Sequence, residues 1–407
     1  MKSGLTTDRT WLSCQLGARE HYAVPRALQR DGLLREFLTD LWIRPRSLTK
    51  HWVNKRAGRF HPALAQARVS AANAAAFAFE MKSRAGGLDG WDLTVRRNEW
   101  FQRNVVTRLQ RGGPANSQPV TVFAYSYAAE HIFNHARERG WRTVLGQIDP
   151  GAADEKIVAR LHEHANGDGW QPAPPDYWAK WRRECELADE IVVNSNWSRE
   201  ALVSEGIPES KIRVLPLAFE ASRDAHTFQR HYPSSFTPAR PLRVLFLAQI
   251  NVRKGARELL NAARILAGEP VEFWFVGPQH IHITPDLHVA PNLKWFGAVP
   301  RTEVDRFYRA ADVFILPTFS DGFALTQLEA QSWKLPVIAS RFCGEVVQHE
   351  RNGLLLEEVS AQAIANVLSE LLQAPQRLAA MAQASYVREE FSLAALASSL
   401  SQLSCSH

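Results

Sequence analysis

The chain is short of the features that mark out several whole classes of protein. Its four cysteines, Cys14, Cys185, Cys343 and Cys405, lie far apart and form no close pair. That leaves neither a disulfide framework nor a cysteine zinc site, and makes a reducing cytoplasm the expected setting. No apolar run approaches the ~20 residues that span a bilayer, so any membrane contact is expected to be peripheral, at the inner face. The opening "MKSGLTTDRTWLSC" has no uninterrupted apolar core, which argues against a secretory signal. No G-x-G-x-x-G follows a strand-like run, which disfavours a dehydrogenase. Charge of one sign is also scarce: +6 over 407 residues suits nucleotides, sugar phosphates, nucleic acid or an acidic membrane face without choosing among them.

What is present is ordinary in composition and ordered in pattern. The length implies two or more domains, and 45% hydrophobic with 22% charged residues permits a core in each. In the C-terminal half, "LRVLFLAQ" (242–249), "VEFWFVG" (271–277), "LKWFG" (293–297), "DVFILP" (312–317) and "GLLLE" (353–357) read as buried strands. Helical spacing separates them: Leu259, Leu260, Ala263 and Leu266 lie within 254–268, and two helices are expected across 360–390. Strands without in–out alternation, divided by helices, indicate a parallel sheet covered on both faces. The N-terminal half repeats the pattern less clearly, at 119–126, 141–149, 189–196 and 211–219. The expected architecture is α/β, with two Rossmann-like domains facing across a cleft. Residues 1–220 would form the first domain, 221–241 a polar linker, 242–385 the second, and 386–407 a helical tail packing back towards the first. Ligands of open α/β sheets bind at the strand C-termini.

One stretch carries chemistry. "SDGFALTQLEAQSWKLPVIAS" (320–340) follows a strand and opens a helix expected to begin near residue 322. Amides at a helix start attract phosphate, and Gly322 admits close backbone approach. Asp321 would repel a phosphate but accepts hydrogen bonds from paired hydroxyls. Glu329 is eight positions on, about 12 Å along a helix, a span that suits a folded nucleotide sugar. Taken alone, the pair also fits a helix cap and a solvent-facing glutamate.

The surroundings extend the pattern. "FYRAADVFILPTFSDGF", the acid–Gly–Phe at 321–323, Glu329 and "PVIA" (336–339) together resemble the signature of glycosyltransferase family 4. Those are retaining enzymes of the GT-B fold that use nucleotide-activated sugars. "FLAQINVRKGARELLNAA", "VGPQ", "WFGAVP", "ADEIVVNSNWSREALVSEGIPESKIRVLPLAF" and "GAREHYAVPRAL" resemble further family segments. The likeness is strong over about 185 to 395 and weak before 185.

The resemblance implies roles. Glu329 would bind the ribose hydroxyls, and Asp321 the donor sugar. Gly322, Phe323, Ala324 and Leu325 would present backbone amides to sugar and phosphate. Lys254 would neutralise the departing diphosphate; a bare lysine at a helix start is disfavoured by the dipole, which favours an anionic ligand there. Gly277, Phe296, Ala298 and Val299 would line the nucleobase side. Three positions depart from the family: Gln249 stands where an arginine is usual, with Arg253 a possible substitute; the first acid is Asp321 rather than glutamate; and Lys334 replaces a glycine.

In the N-terminal half, the resemblance implies a histidine near the reacting sugar; Gln147 is the nearest match to it, with Asp149 beside it, and a catalytic contact is expected there. Gly17, with Arg19 and His21, would approach the phosphate or acceptor from the opposite wall. No Asp-x-Asp occurs, so no metal or other cofactor is expected, and His131 and His135 lack a third ligand. The basic segment 44–60 suits either an anionic membrane or solvent, and the tryptophan-rich 169–184 suits the packing of the domain better than sugar stacking.

The expected function is hexose transfer from a nucleoside diphosphate sugar to a glycan, a lipid-linked sugar or a small acceptor, with retention. A phosphorylase- or synthase-like member using a free sugar, or a non-catalytic nucleotide-sugar binder, remain alternatives. A nucleic-acid partner, suggested by charge alone, is not expected.

Overall fold

The structure, a computed structural model, describes residues 10–44, 59–111, 119–163, 170–283 and 290–405. Two parallel sheets organise them, as the unalternating strands required.

The first sheet has the order β3-β2-β1-β4-β5-β6-β7. Its strands are β1 (Thr10–Gln15), β2 (Leu34–Thr39), β3 (Val69–Ala71), β4 (Val120–Tyr125), β5 (Arg142–Gly146), β6 (Glu190–Val193) and β7 (Ile212–Val214). Its helices are α1 (Ala23–Arg30), α2 (Asn73–Ala85), α3 (Gly90–Arg111), α4 (Glu130–Glu138), α5 (Ala152–Glu163), α6 (Pro175–Leu187) and α7 (Asn196–Ser204). The second sheet has the order β10-β9-β8-β11-β12-β13. It comprises β8 (Leu242–Leu247), β9 (Val271–Val276), β10 (Leu293–Gly297), β11 (Val313–Leu316), β12 (Val337–Ala339) and β13 (Gly353–Leu355). With it run α8 (Ala256–Ile265), α9 (Val304–Ala310), α10 (Thr326–Ser332), α11 (Ala361–Gln373), α12 (Pro375–Gln383) and α13 (Leu393–Cys405). All six residues of β4 and all four of β11 are buried, as two covered faces demand.

Strand order reverses between β1 and β4 and again between β8 and β11. Crevices open at such reversals, outside the strand C-termini. They fix where function can sit: the turns after β1 and β4 in one sheet, and after β8 and β11 in the other.

Three strands escaped the sequence reading. β1 carries the buried polar residues Ser13 and Gln15. β2 carries Glu36, which is satisfied by Arg108 at 2.9 Å and Arg68 at 3.4 Å, and β3 is three residues long. None makes an apolar run.

Segment 221–241 is polar without being loose. Arg230 donates to the carbonyls of Tyr308 (2.6 Å), Trp333 and Lys334 (both 3.0 Å), and also to that of Ala311. Arg240 grips Asp312 through two hydrogen bonds of 2.7 and 2.6 Å. Charge-assisted bonds thus tie it to the second sheet where no hydrophobic period could. α13 crosses to the first sheet, burying Leu396 and Leu400 in one cluster with Ala23 and Ala27 of α1. Among the described residues no helix is long and apolar enough to cross a membrane.

Candidate active site

The turn after β8 is built around Gly255, whose φ of 71° places it in the left-handed region. A Cβ there would come within 1.9 Å of the Pro317 carbonyl at the end of β11. This close approach delivers Lys254 to the loop after β11, where its Nζ contacts the Asp321 carboxylate. The other Asp321 oxygen accepts from the Phe323 amide at 3.3 Å. Lys254 is 9% exposed. Burial, with Arg253 beside it, draws its ammonium down to about 7, while contact with the carboxylate favours the charged form. A buried lysine held by a single carboxylate is poised to exchange it for a more highly charged anion.

The helix following this loop starts at Thr326, four residues later than Gly322. The sequence reading placed its start near 322; Ala324, at φ 65°, interrupts it. Such a conformation costs of order 1–3 kcal/mol in a non-glycine residue and clusters at functional sites. The amides of Ala324 and Leu325, like that of Gly322, have no backbone acceptor, so the loop holds donors on offer. Phe323 is buried, edge-on to Phe391. Gly322 serves another purpose: a Cβ on it would lie 2.3 Å from the Ile148 carbonyl of the facing domain.

Glu329 does not face solvent. It accepts from the Tyr308 hydroxyl at 2.8 Å and pairs with Arg301 at 3.3 Å. Arg301 follows the loop holding Ala298 and Val299, so the nucleobase-side segment and Glu329 meet here. Gly277 donates its amide to Gly297 at 2.8 Å, which joins the ends of β9 and β10. Phe296 is 40% exposed and lies edge-on to Trp274. Gln249 is exposed, and its side-chain oxygen accepts a long 3.4 Å bond from the Asn251 side chain. Arg253, though close enough to lower Lys254, is not a second free cation. Its guanidinium is bonded to the Ser320 carbonyl at 2.8 Å and pairs across the seam with Asp154 at 3.7 Å.

The opposite wall differs more from expectation. Gln147 is 1% exposed and its amide is fully engaged. It accepts from Trp181 at 2.9 Å, and donates to the Asp149 carboxylate at 3.0 Å and to the Tyr127 hydroxyl at 3.2 Å. It therefore holds Asp149 in place rather than reaching the cleft, which corrects its assignment as a contact residue. Asp149, beside Gly322, has its carboxyl raised by burial and by Asp154. Gly17 is likewise tied: its amide donates to Asp40 at 2.9 Å and its carbonyl accepts from Gln15 at 3.1 Å. It cannot offer its N–H to a phosphate. It lines instead a hollow of about 440 Å³ with Arg19, Asp40 and Arg59.

His21 does reach the seam. It belongs to three consecutive left-handed residues, Glu20, His21 and Tyr22, at φ 48°, 52° and 62°. With Arg26, His61, Arg301 and Leu325 it lines a gap of about 150 Å³ between the domains. Burial and the cations Arg301 and Arg26 lower it to about 4, so near neutral pH it is an uncharged hydrogen-bonding group. Glu20, half-buried, rises to about 7 through desolvation despite its bond with Tyr125. The gap is smaller than the ~300 Å³ at the low end of ligand pockets.

The aromatic segment 169–184 packs. Trp181 is fully buried and Tyr177 stacks on Tyr127 at 4.9 Å. Of the basic segment 44–60, residues 45–58 lie outside the described residues; Arg44 is exposed and Arg59 turns onto Asp40 at 3.0 Å. His135 is buried against Trp141. Sequence reasoning missed the parts played by Tyr308, Arg301 and Trp197, whose indole donates to Ser320 across the seam at 3.2 Å. Each lies inside or next to a segment of recognisable pattern, but side-chain direction is not written there.

Two facing parallel sheets with a lysine, an acid and free amides at one switch point define a GT-B protein. Comparison narrows this. Residues 241–374 match the family of glycosyl transferases group 1. The amylovoran biosynthesis glycosyltransferase AmsK of Erwinia amylovora is 28% identical over 198 residues, 45% of this chain and 47% of that protein. The GDP-mannose-dependent alpha-(1-6)-phosphatidylinositol monomannoside mannosyltransferase of Mycolicibacterium smegmatis is 26% identical over 58% of this chain and 66% of its own length. The Anabaena protein Alr3699/HepE, solved with UDP and glucose, superposes with a TM-score of 0.62 at 14% identity over 98% of this chain and 100% of its own. The chain spans between a third and a half of the first curated relatives it matches. Its second sheet is thus similar to that of the glycosyl transferases group 1, and the chain as a whole shares their fold.

Proposed function

We propose that the chain transfers a hexose from a nucleoside diphosphate sugar to a hydroxyl of a glycan, lipid-linked or small acceptor, retaining the anomeric configuration. The observation that carries this reading is the Lys254–Asp321 contact beside the unpaired amides of Ala324 and Leu325. The relatives' printed activities and the UDP held by HepE support the same reading.

The chemistry follows from charge. A diphosphate entering at the two amides offers Lys254 a stronger partner than one carboxylate. Lys254 moves onto it, and Asp321 is released to accept hydrogen bonds from the sugar. The bond between the anomeric carbon and the phosphate oxygen then breaks, with its negative charge facing a buried ammonium. The acceptor oxygen bonds to the anomeric carbon on the same face and gives its proton to the departing phosphate. No side chain is needed as nucleophile. Lys254 and the amides take the charge a metal would otherwise carry, so turnover in EDTA is expected. Glu329, pre-set by Tyr308, holds the ribose hydroxyls, and neutral His21 closes over the phosphates from the other domain.

Thermal stabilisation by UDP, GDP and ADP, followed by assay of the matching donors, tests the reading. One nucleotide should raise Tm and its sugar should be consumed. No stabilisation by any of the three would overturn the reading.

A further inference from the structure

The loop after β1 spends its backbone on structure. Gln15 Nε2 donates to the Gly17 carbonyl at 3.1 Å and to that of Arg19 at 3.0 Å, and Asp40 accepts the Gly17 amide at 2.9 Å. What the loop presents is therefore the Arg19 side chain, which is exposed. It lines the hollow of about 440 Å³ walled by this loop, α2 and α3. That volume lies within the range of ligand pockets, ~300–1,000 Å³, as the gap at the seam does not.

The charges in the hollow do not balance. Arg59 pairs with Asp40 at 3.0 Å, and Arg97 with Glu80 at 3.0 Å. Arg19 has no carboxylate at ion-pair distance among the described residues, and its neighbour Glu20 is bonded to the Tyr125 hydroxyl at 3.0 Å. A surplus guanidinium in a hollow suits a carboxylate or a phosphate, which it can grip by two parallel bonds. The two ion pairs, with Thr94 and Asn98 of α3, add donors and acceptors side by side. Sugar hydroxyls, which donate and accept at once, need such a mixture.

A polar route joins the hollow to the donor loop. Burial raises the Tyr177 hydroxyl; Asp149 and Glu184 add to the rise and Arg19 opposes it. Tyr177 thus stands within electrostatic reach of both Arg19 and Asp149. It stacks on Tyr127, whose hydroxyl donates to Asp149. The Asp149 Cα would lie 3.2 Å from a Cβ on Gly322. Asp149 is anchored by one oxygen: Oδ1 accepts from Tyr127, Gln147 and the Gly151 amide, while Oδ2 has no partner among the described residues. An open carboxylate oxygen accepts from a hydroxyl and repels an anion. A ligand carrying one charge would therefore place it at Arg19 and turn a hydroxyl towards the donor loop.

We propose that the hollow binds a saccharide with one negative charge, its carboxylate or phosphate held by Arg19, and that this saccharide is the acceptor. The anionic-sugar site stands on the charges of the hollow; the word acceptor rests on the transferase reading.

Titration calorimetry on the full chain tests it with glucose, galactose and mannose, each as the methyl glycoside, the 6-phosphate and the uronate. In at least one series an anionic sugar should bind about tenfold or more tighter than its neutral glycoside, as for hydrogen bonds to a charged group. The phosphate and uronate arms tell which anion is preferred. Arg19→Ala should remove the preference, Arg19→Lys should keep part of it, and Lys254→Ala should keep all of it. Binding of no anionic sugar, neutral sugars bound as tightly, or a preference that survives Arg19→Ala overturns the proposal. So does a preference lost in Lys254→Ala, which would assign the anion to the donor side. Arg19-dependent binding of an anionic sugar, with no stabilisation by UDP, GDP or ADP, would sink the transferase reading and leave the anionic-sugar site standing.

Discussion

The two facing walls of the cleft are built in different ways. On the second sheet, chemistry is concentrated after two neighbouring strands: Lys254 follows β8, and Asp321 through Leu325 follow β11. Gly255 presses the two turns together. On the first sheet the wall is distributed. His21 comes from a strained turn after β1, Asp149 from the loop after β5, and Tyr127 and Trp181 hold that loop through Gln147. A local wall makes a tight charge site that short motifs encode. A distributed wall makes a surface that few residues define and many support. The donor side should therefore respond to mutation in turnover and nucleotide affinity, and the facing side in stability and closure.

The largest effect is expected at the concentrated wall. Lys254→Ala should lower kcat by about 100- to 1,000-fold, the range seen on losing one preorganised charge-stabilising donor. Equal kcat in donor consumption would erase the distinction between the walls. Gly322→Ala sharpens it from the seam. The added methyl would meet the Ile148 carbonyl, and a displacement of about 1 Å can cost about 100-fold in kcat/KM. Nucleotide affinity should change little, which separates closure from binding.

Glu329→Ala should weaken nucleotide binding by about 10- to 100-fold, as for hydrogen bonds to a charged group. Titration calorimetry reads it, and an unchanged Kd would remove Glu329 from the ribose. The pH profile carries a sign. Lys254, drawn down to about 7, is charged below that pH and neutral above it. Since kcat/KM reports the free enzyme, it should fall as pH rises through about 7, by about tenfold per unit beyond, and Asp321 should shift that limb upward. Lys254→Ala should abolish the limb. The smallest catalytic effect is expected at Gln147. Gln147→Ala strips Trp181 and Asp149 of partners and should cost about 1–3 kcal/mol of stability, read by denaturant unfolding, with kcat nearly preserved. A large fall in kcat without loss of stability would restore Gln147 to the reacting centre.

The same contrast explains what the sequence made legible. The second sheet was readable strand by strand, because β8, β9 and β11 are apolar runs and its site residues sit within motifs a few positions long. Their contact was not readable. That Lys254 meets Asp321, or that Glu329 rests on Tyr308, depends on turns closing in space. The first sheet hid its opening strands because Ser13, Gln15 and Glu36 are buried polar residues that break the apolar run, Glu36 being held by Arg108 and Arg68 from far along the chain. Gln147 and Gly17 were placed near the right loops but assigned outward roles. Hydrogen-bond satisfaction turned both inward, since a buried amide without partners is costly. The helix after β11 was misjudged by four residues because nothing in "DGFAL" announces a left-handed alanine.

The most direct measurement is a structure of the full chain bound to the nucleoside diphosphate that most raises its Tm. The account predicts that Lys254 Nζ leaves Asp321 for a phosphate oxygen at about 2.7–3.2 Å, with the amides of Ala324 and Leu325 donating to the same group. Lys254 still paired to Asp321, with the diphosphate bound elsewhere, would contradict it.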